Sequence, residues 1–257
     1  MGKKVVVIAD LHCGHRIGLT PPKYQNMYPD AEYCSLQIKL WKEFEKMVDK
    51  VKPVDILVVN GDAIEGKGYR SGGTELITTD RNVQCDMAAE VINFIDADRI
   101  FMTAGTGYHT GDNEDWEEQV AKNVNAEAFK DQLWLNINDV IFDIKHYIGS
   151  TTVPYSRGTQ ISKDRLWNLI WSEYQEQPKS DVLIRSHIHQ FFFCGEDNWL
   201  GIVTPALQGQ GTKFGARRRS NTVHFGIIYF DIREDSSMDW SWEIIRGKHQ
   251  KAKAIKI

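Results

Sequence analysis

Cysteine is scarce in this sequence: Cys13, Cys34, Cys85 and Cys194 are the only four in 257 residues, and no two form a C-x-x-C pair. That spacing excludes a disulfide framework and a structural zinc ribbon, and it leads us to expect a reducing, cytoplasmic setting. Long apolar runs are missing as well. The first, Val5-Val6-Val7-Ile8-Ala9, is too short for a signal peptide and is followed by no small-residue cleavage site. No segment approaches the roughly 20 apolar residues needed to cross a bilayer, so no membrane association is expected. Nor is there an excess of positive charge. The 31 Lys and Arg against 35 Asp and Glu give a formal net charge of −4, which argues against a generally basic nucleic-acid binder. Repeats, low-complexity tracts and linker-like stretches are absent too, so the expectation is one domain over 1–257 with a basic tail over 246–257. What remains is an ordinary globular mix, 42% hydrophobic and 26% charged, in a chain long enough to bury a sizeable core.

Four short, β-branched runs stand out: Val5–Ile8, Ile56–Val59, Ile100–Met102 and Val182–Ile184. Each is too short for a helix and lacks polar alternation, which suits strands covered on both faces. Helical spacing lies between them. Ser35 is placed to cap a helix with Leu36, Leu40, Phe44, Met47 and Val51 on its apolar face, stopped by Pro53. Val83, Met87, Val91 and Phe94 form a second face, Trp116, Val120 and Val124 a third, and Leu166, Ile170 and Tyr174 a fourth that ends near Pro178. The first part therefore reads as βαβ units. After Val182 the pattern changes to hairpin-connected strands over Phe191–Cys194, Leu200–Thr204, Phe225–Ile232 and Trp240–Ile245. An α/β fold follows, a mixed sheet arrangement flanked by helices.

Acids and imidazoles collect just past the strand ends. Val5–Ile8 runs into Asp10-Leu11-His12, and Ile56–Val59 into Asn60-Gly61-Asp62-Ala63-Ile64-Glu65. Ile100–Met102 leads to Gly105-Thr106-Gly107-Tyr108-His109, and Val182–Ile184 to Ser186-His187-Ile188-His189. Ligands of open α/β sheets bind at the carboxyl ends of strands. In Asp10-x-His12 and His187-x-His189 the partners are two apart, so an extended backbone turns both to one side, toward one metal pocket. Carboxylate oxygen with imidazole nitrogen suits manganese, iron, zinc or nickel. Each piece read alone has a plainer meaning. Asp10 could cap a helix, Gly61-Asp62 is a common turn, His146 is an ordinary strand residue and His15 an exposed loop histidine. The four motifs Asp10-x-His12, Gly61-Asp62, Gly105–His109 and His187-x-His189, in order and each behind an apolar strand, together point to a site.

In that order the motifs resemble those of the calcineurin-like metallophosphoesterase superfamily, over a stretch from Asp10 to His189. The resemblance implies a four-layer αββα sandwich of two mixed β-sheets, and a dinuclear centre of two divalent metal ions. Asp10, His12 and His189 would hold the first metal. Asp62 would bridge the two, and His187 with His146 would complete the second. His109 would assist the leaving group. Three departures stand against the pattern. No Asn precedes His109, so the second metal's missing ligand must come from water, from Thr106 or a backbone oxygen, or from Asp112 or Asn113. Glu65 stands where Asp is common, and Ser186 where Gly is usual. The implied activity is hydrolysis of phosphate esters. A phosphodiesterase, nuclease activity included, is preferred over a phosphomonoesterase on a nucleotide or phosphoprotein, and over a non-catalytic phosphate or nucleic-acid binding module. Arg217-Arg218-Arg219 and the basic tail could hold a nucleic-acid backbone, although a charge run is more often a solvated face.

Overall fold

The computed structural model describes residues 1–111, 114–151, 153–212 and 222–246. The strands are β1 (Lys3–Ile8), β2 (Val54–Asn60), β3 (Ala97–Thr103), β4 (Ala128–Lys130), β5 (Gln132–Ile137), β6 (Val140–Lys145), β7 (Val182–Arg185), β8 (Phe192–Glu196), β9 (Trp199–Val203), β10 (His224–Ile232) and β11 (Met238–Arg246). The helices are α1 (Ala31–Val51), α2 (Arg81–Ile95), the single turn α3 (Gly107–Thr110), α4 (Trp116–Asn123) and α5 (Gly158–Glu173). One sheet runs β11-β10-β1-β2-β3-β4 and the other β5-β6-β7-β9-β8. Both are mixed: β1 to β4 pair in parallel while β10 and β11 are antiparallel, and β6, β7 and β9 are parallel between antiparallel β5 and β8.

The uniformly apolar strands are explained by two cores, one on each face of the first sheet. Val6, Ile8, Leu57 and Val59 turn outward onto Leu40, Phe44, Met87 and Val91 of α1 and α2. Their alternates Val5, Val7, Ile56 and Val58 turn inward onto Phe142, Ile144, Val182 and Ile184 of the second sheet. Strand periodicity supplies this division, because successive side chains point to opposite faces. Helix α5 covers the far side of the second sheet through Ile161 against Leu183 and Val203. Helix, sheet, sheet, helix: the four-layer sandwich implied by the resemblance is the arrangement of this chain. Phe142 lies at the sheet–sheet interface, fully buried and edge-on to Phe230 at 5.1 Å. Phe142→Ala is expected to cost about 3–5 kcal/mol of unfolding free energy in chemical denaturation, because the cavity it leaves is walled by two rigid sheets.

Several expectations need correction. Helix α1 begins one turn earlier than Ser35: Asp30 is its cap, accepting the Glu32 N–H at 2.9 Å, while Ser35 bonds back to Ala31 O inside the helix. The fourth apolar face is turned the wrong way. Leu166, Trp167, Trp171 and Tyr174 are exposed, whereas α5 buries Ile161 with Arg165 and Asn168, whose polar atoms bond to Ser180 O and Pro178 O. After Val182 the strands are not one run of hairpins. Strand β7 pairs in parallel with β9, and the chain then crosses to the other sheet for β10 and β11. Strands β4 and β5 had no signal strong enough to read. Lys213, Arg217-Arg218-Arg219, residues 247–257 of the tail, Asp112 and Asn113 lie outside the described residues. Among the described residues, no helix is long and apolar enough to cross a membrane.

Candidate metal centre

The carboxyl ends of β1, β2, β3, β6 and β7 meet at one place, and each contributes a loop. Backbone bonds lock the first two loops together: Asp10 N–H to Gly61 O at 3.0 Å, His12 N–H to Asp62 O at 3.0 Å and Glu65 N–H to Cys13 O at 2.9 Å. Ser186 N–H reaches His146 O at 2.8 Å, joining the second sheet's two loops. Glycine is required at two crossing points. A Cβ on Gly61 would lie 2.5 Å from His146 Nδ1, and one on Gly105 would lie 2.3 Å from both the amide and the Oδ1 of Asp62.

Seven histidines and acids singled out from sequence are thereby brought together. The donor atoms of Asp10, His12 and His189 lie within 4.8 Å of one another, and so do those of Asp62, His146 and His187. Between the clusters, Asp10 Oδ1 stands 3.9 Å from His146 Nε2. Three atoms aimed into the centre, Asp10 Oδ1, His146 Nε2 and His187 Nδ1, are buried without a hydrogen-bond partner. Yet His189 Nε2 is only 3.1 Å from Asp10 Oδ1, and His146 Nε2 only 3.1 Å from Asp62 Oδ2. Close approach without hydrogen-bond geometry is what lone pairs directed at a common cation produce. The residues therefore fit divalent ions of the nitrogen- and oxygen-binding kind.

The geometric premise behind the two x-spaced pairs was wrong. Asp10, His12, Asp62, His187 and His189 have φ of 53°, 46°, 51°, 72° and 57°, so five of the eleven left-handed non-glycine residues among those described are in the centre. Such backbone costs energy and persists only where the surroundings impose it, commonly at functional sites. The side chains converge through these bends and not through strand pleat. One consequence is that His187 and His189 fall into different clusters.

Further residues surround the centre, and of these the sequence reading gave Glu117 no role in the site. Glu65 Oε2 lies 2.9 Å from His12 Nδ1, which orients that ring and leaves Nε2 facing Asp10 and His189. Thr106, one of the groups offered in place of the absent Asn, donates both its N–H (2.7 Å) and its hydroxyl (3.1 Å) to Asp62 Oδ1. Glu117 lies in the first turn of α4, where an acid is ordinarily solvated. It is fully buried instead, accepting the N–H of Ala63 and, at 2.6 Å, that of Gly105, while Asp115 is the true cap of α4. Ser186, which departs from the usual Gly, is also accounted for. Asn60 Nδ2 donates to Ser186 Oγ at 2.7 Å, Thr103 Oγ1 to Asn60 Oδ1 at 2.6 Å, and Ser186 Oγ pairs with Thr204 Oγ1 at 2.7 Å. This fully buried chain of polar groups ties the two sheets directly beneath His146, whose Nδ1–H donates to Asn60 O at 2.7 Å. His15 is not an exposed loop residue; it is buried.

Charge follows from this crowding. Burial would raise the Asp10 and Asp62 carboxyls, but His189 beside Asp10 and His146 beside Asp62 hold both below the usual carboxylate range, Asp62 well below. Burial likewise pushes Glu65 up, and His12 overrides it, bringing Glu65 to about 2. Glu117 is pushed up to about 7 by burial and by the Asp62 charge. Burial lowers His187 to about 4; His146 is lowered by burial too, but Asp62 and Asp10 more than offset this and raise it to about 10. At neutral pH without cations His146 thus carries a proton that a cation must displace. Loading is expected to release that proton and to strengthen with rising pH, by about tenfold per unit below pH 10 and no further above it. Calorimetric titration with Mn²⁺ in buffers of different ionisation enthalpy measures the released proton.

A cavity of about 350 Å³ opens over the centre, lined by His12, Asp62, His187 and His189 together with Tyr108, His109, Gln190, Gln208 and Gln210. No family model and no curated protein sequence matches the chain. Among solved structures it is similar to an archaeal phosphodiesterase (14% identity over 94% of this chain and 99% of that one, TM-score 0.47). It is similar also to Vps29 of Entamoeba histolytica complexed with zinc (13% identity, 94% and 98%, TM-score 0.46). A third similar structure is a predicted phosphoesterase of Streptococcus pneumoniae (10% identity, 95% and 99%, TM-score 0.38).

Proposed function

We propose that the chain is a calcineurin-like metallophosphoesterase that hydrolyses phosphodiesters at a dinuclear metal centre. The observation that carries this reading is the pair of three-residue clusters, assembled from four strand ends on strained backbone, with buried donor atoms left unbonded. Asp10, His12 and His189 would hold one divalent ion, His146 and His187 the other, and Asp62 would serve both. Manganese, iron, zinc and nickel all suit these donors. When bound, such a pair of ions makes water nucleophilic at neutral pH and neutralises charge on the phosphate oxygens.

The remaining work falls to the chain's own side chains. Asp62 is held in place by Thr106, and His12 by Glu65, so neither reorganises during the reaction. His109 donates Nδ1–H to Glu65 O at 2.9 Å, which leaves Nε2 facing the centre, 3.8 Å from Asp62 Oδ2. From there Nε2 would deliver a proton to the leaving oxygen. The cavity of about 350 Å³ extends past the metal-ligating side chains to Tyr108, Gln190, Gln208 and Gln210, and this added room favours diesters, nucleic acid among them.

Purified protein loaded with Mn²⁺ should contain two ions per chain and hydrolyse bis(p-nitrophenyl) phosphate faster than p-nitrophenyl phosphate. A strong monoester preference would overturn the diester assignment. One ion with no hydrolysis of either ester would make the chain a binding module.

A further inference from the structure

Helix α5 turns its aromatic side away from the molecule. Leu166, Trp167, Trp171 and Tyr174 are 58%, 48%, 40% and 71% exposed, whereas Ile161 of the same helix is fully buried. Residues three and four apart are neighbours on a helix surface, so these four share one side. Their rings are continuous. Trp167 stacks on Trp171 with centroids 6.0 Å apart and planes at 17°, and Trp171 meets Tyr174 at 6.2 Å. At about 150–250 Å² per aromatic side chain, these exposures leave roughly 400 Å² of apolar surface in one patch. A patch of that extent marks a contact surface, unlike singly scattered apolar residues. No residue of α5 lines the cavity over the metal centre, so the patch serves something other than the ester chemistry.

The charges at the two ends of the patch identify the occupant. Lys163 is exposed one turn before Trp167, and Glu173 is exposed beside Tyr174. Among the described residues neither forms an ion pair. The order along the helix is therefore cation, aromatics, acid, and a second copy running antiparallel presents the reverse order. Place a two-fold axis across α5 between residues 168 and 169. Lys163 then lies within one residue of the level of Glu173 in the second copy, and Trp167 within one residue of Trp171. One residue is about 1.5 Å along a helix, well inside side-chain reach. The same axis keeps each flank of the helix against its own counterpart, so tryptophans meet tryptophans. That is the self-complementarity an isologous contact demands. A lipid surface fits less well, since Glu173 and Glu176, both exposed at the end of the patch, would face anionic headgroups.

We infer that α5 is a self-association surface, on which two copies of this chain pack helix against helix, antiparallel across a two-fold axis. Trp167 of each copy lies against Trp171 of the other, and Lys163 against Glu173. The inference stands apart from the phosphodiesterase reading. Two such patches bury about 800 Å² before flanking side chains are counted, near the lower bound for a specific contact, so the dimer is weak and reversible.

Sedimentation of the full chain over a range of about 1–200 μM tests it. Wild type should pass from one chain toward two, with Kd of about 10–100 μM. Trp171→Glu should raise Kd by at least about tenfold, because the change acts twice across the axis. Lys163→Glu and Glu173→Lys should each raise it about fivefold, and the two together should restore the wild-type value, since the reversed charges again match. The charge variants alter only exposed side chains, so they decide the matter even if Trp171→Glu fails to fold in a thermal melt. A wild-type monomer throughout the range would overturn the inference. So would a dimer indifferent to Trp171→Glu in folded protein, or a double charge variant no tighter than the single ones. Monomeric wild type that binds phosphatidylcholine vesicles, with binding lost in Trp171→Glu, would assign the face to a lipid surface instead.

Discussion

Asp62→Asn is expected to lower turnover of bis(p-nitrophenyl) phosphate by at least about 10³-fold, near the top of what one lost electrostatic group costs. Geometry decides this outcome, since the two side chains have almost the same shape. Thr106 N–H and hydroxyl both donate to Oδ1, so an amide at this position must keep its carbonyl oxygen there. Its NH₂ then falls where Oδ2 was, 3.1 Å from His146 Nε2 and 3.8 Å from His109 Nε2. An amide nitrogen has no lone pair to give a cation and carries no charge. Flipping the amide would relieve that clash but set NH₂ against the Thr106 N–H. Mn²⁺ content measured alongside kcat checks the assignment: loss of bound ion should accompany loss of rate. Turnover within tenfold of wild type, with both ions present, would remove Asp62 from its shared role.

The same substitution should also weaken the metal-free fold. Without cations, burial would raise the Asp62 carboxyl, but His146, His109 and His12 hold it well below the usual carboxylate range, and Asp62 in turn helps raise His146 to about 10. An amide there leaves the protonated His146 without its nearest counter-charge, so metal-free Asp62→Asn should melt lower than metal-free wild type. The left-handed backbone at five positions of the centre is a separate cost that its surroundings impose.

These effects explain why the sequence exposes some parts of the centre and hides others. Asp10, His12, Asp62, His187 and His189 are legible because each follows an uninterrupted apolar strand, and both the strand and the convergence at its end are local consequences of burial on two faces. The reason for their convergence was not legible. Spacing of two suggested pleat, whereas the backbone bends through φ values of 46° to 72°, a property that only tertiary contacts impose. Glu117 was hidden for a different reason. An acid in the first turn of a helix is ordinarily solvated and favoured by the helix dipole, and nothing in the sequence tells that the N–H groups of Ala63 and Gly105 are waiting for it. The α5 face failed in the same way. Its periodicity is real, but Arg165 and Asn168 reach backbone carbonyls of the 178–180 loop, and those bonds turn the aromatic side outward. Ser186, by contrast, registered as a departure from pattern, and its partner Asn60 on the other sheet supplies the physical reason.

His109→Ala should slow cleavage of diesters with poor leaving groups by about 10²–10³-fold, and slow p-nitrophenyl esters much less. The difference arises because p-nitrophenolate departs without help, whereas an alkoxide needs a proton as the bond breaks. The ring is held for that purpose: Glu65 O fixes Nδ1–H at 2.9 Å, so only Nε2 can face substrate. Burial would lower its pKa, but in the metal-free site the Asp62 and Glu65 charges prevail and hold it above the ordinary histidine value. Ion content separates this role from the alternative. The nitrogen and oxygen atoms of His109, His12 and Glu65 also lie within 4.8 Å of one another, close enough to cage a cation. Were that cluster a ligand set, His109→Ala would lose metal, and every ester would slow alike whatever its leaving group. Retained ions with a rate loss that grows as the leaving group worsens place His109 at the departing oxygen; the dependence of log kcat on leaving-group pKa should steepen in the variant, because the negative charge that His109 would have neutralised then remains on the leaving oxygen.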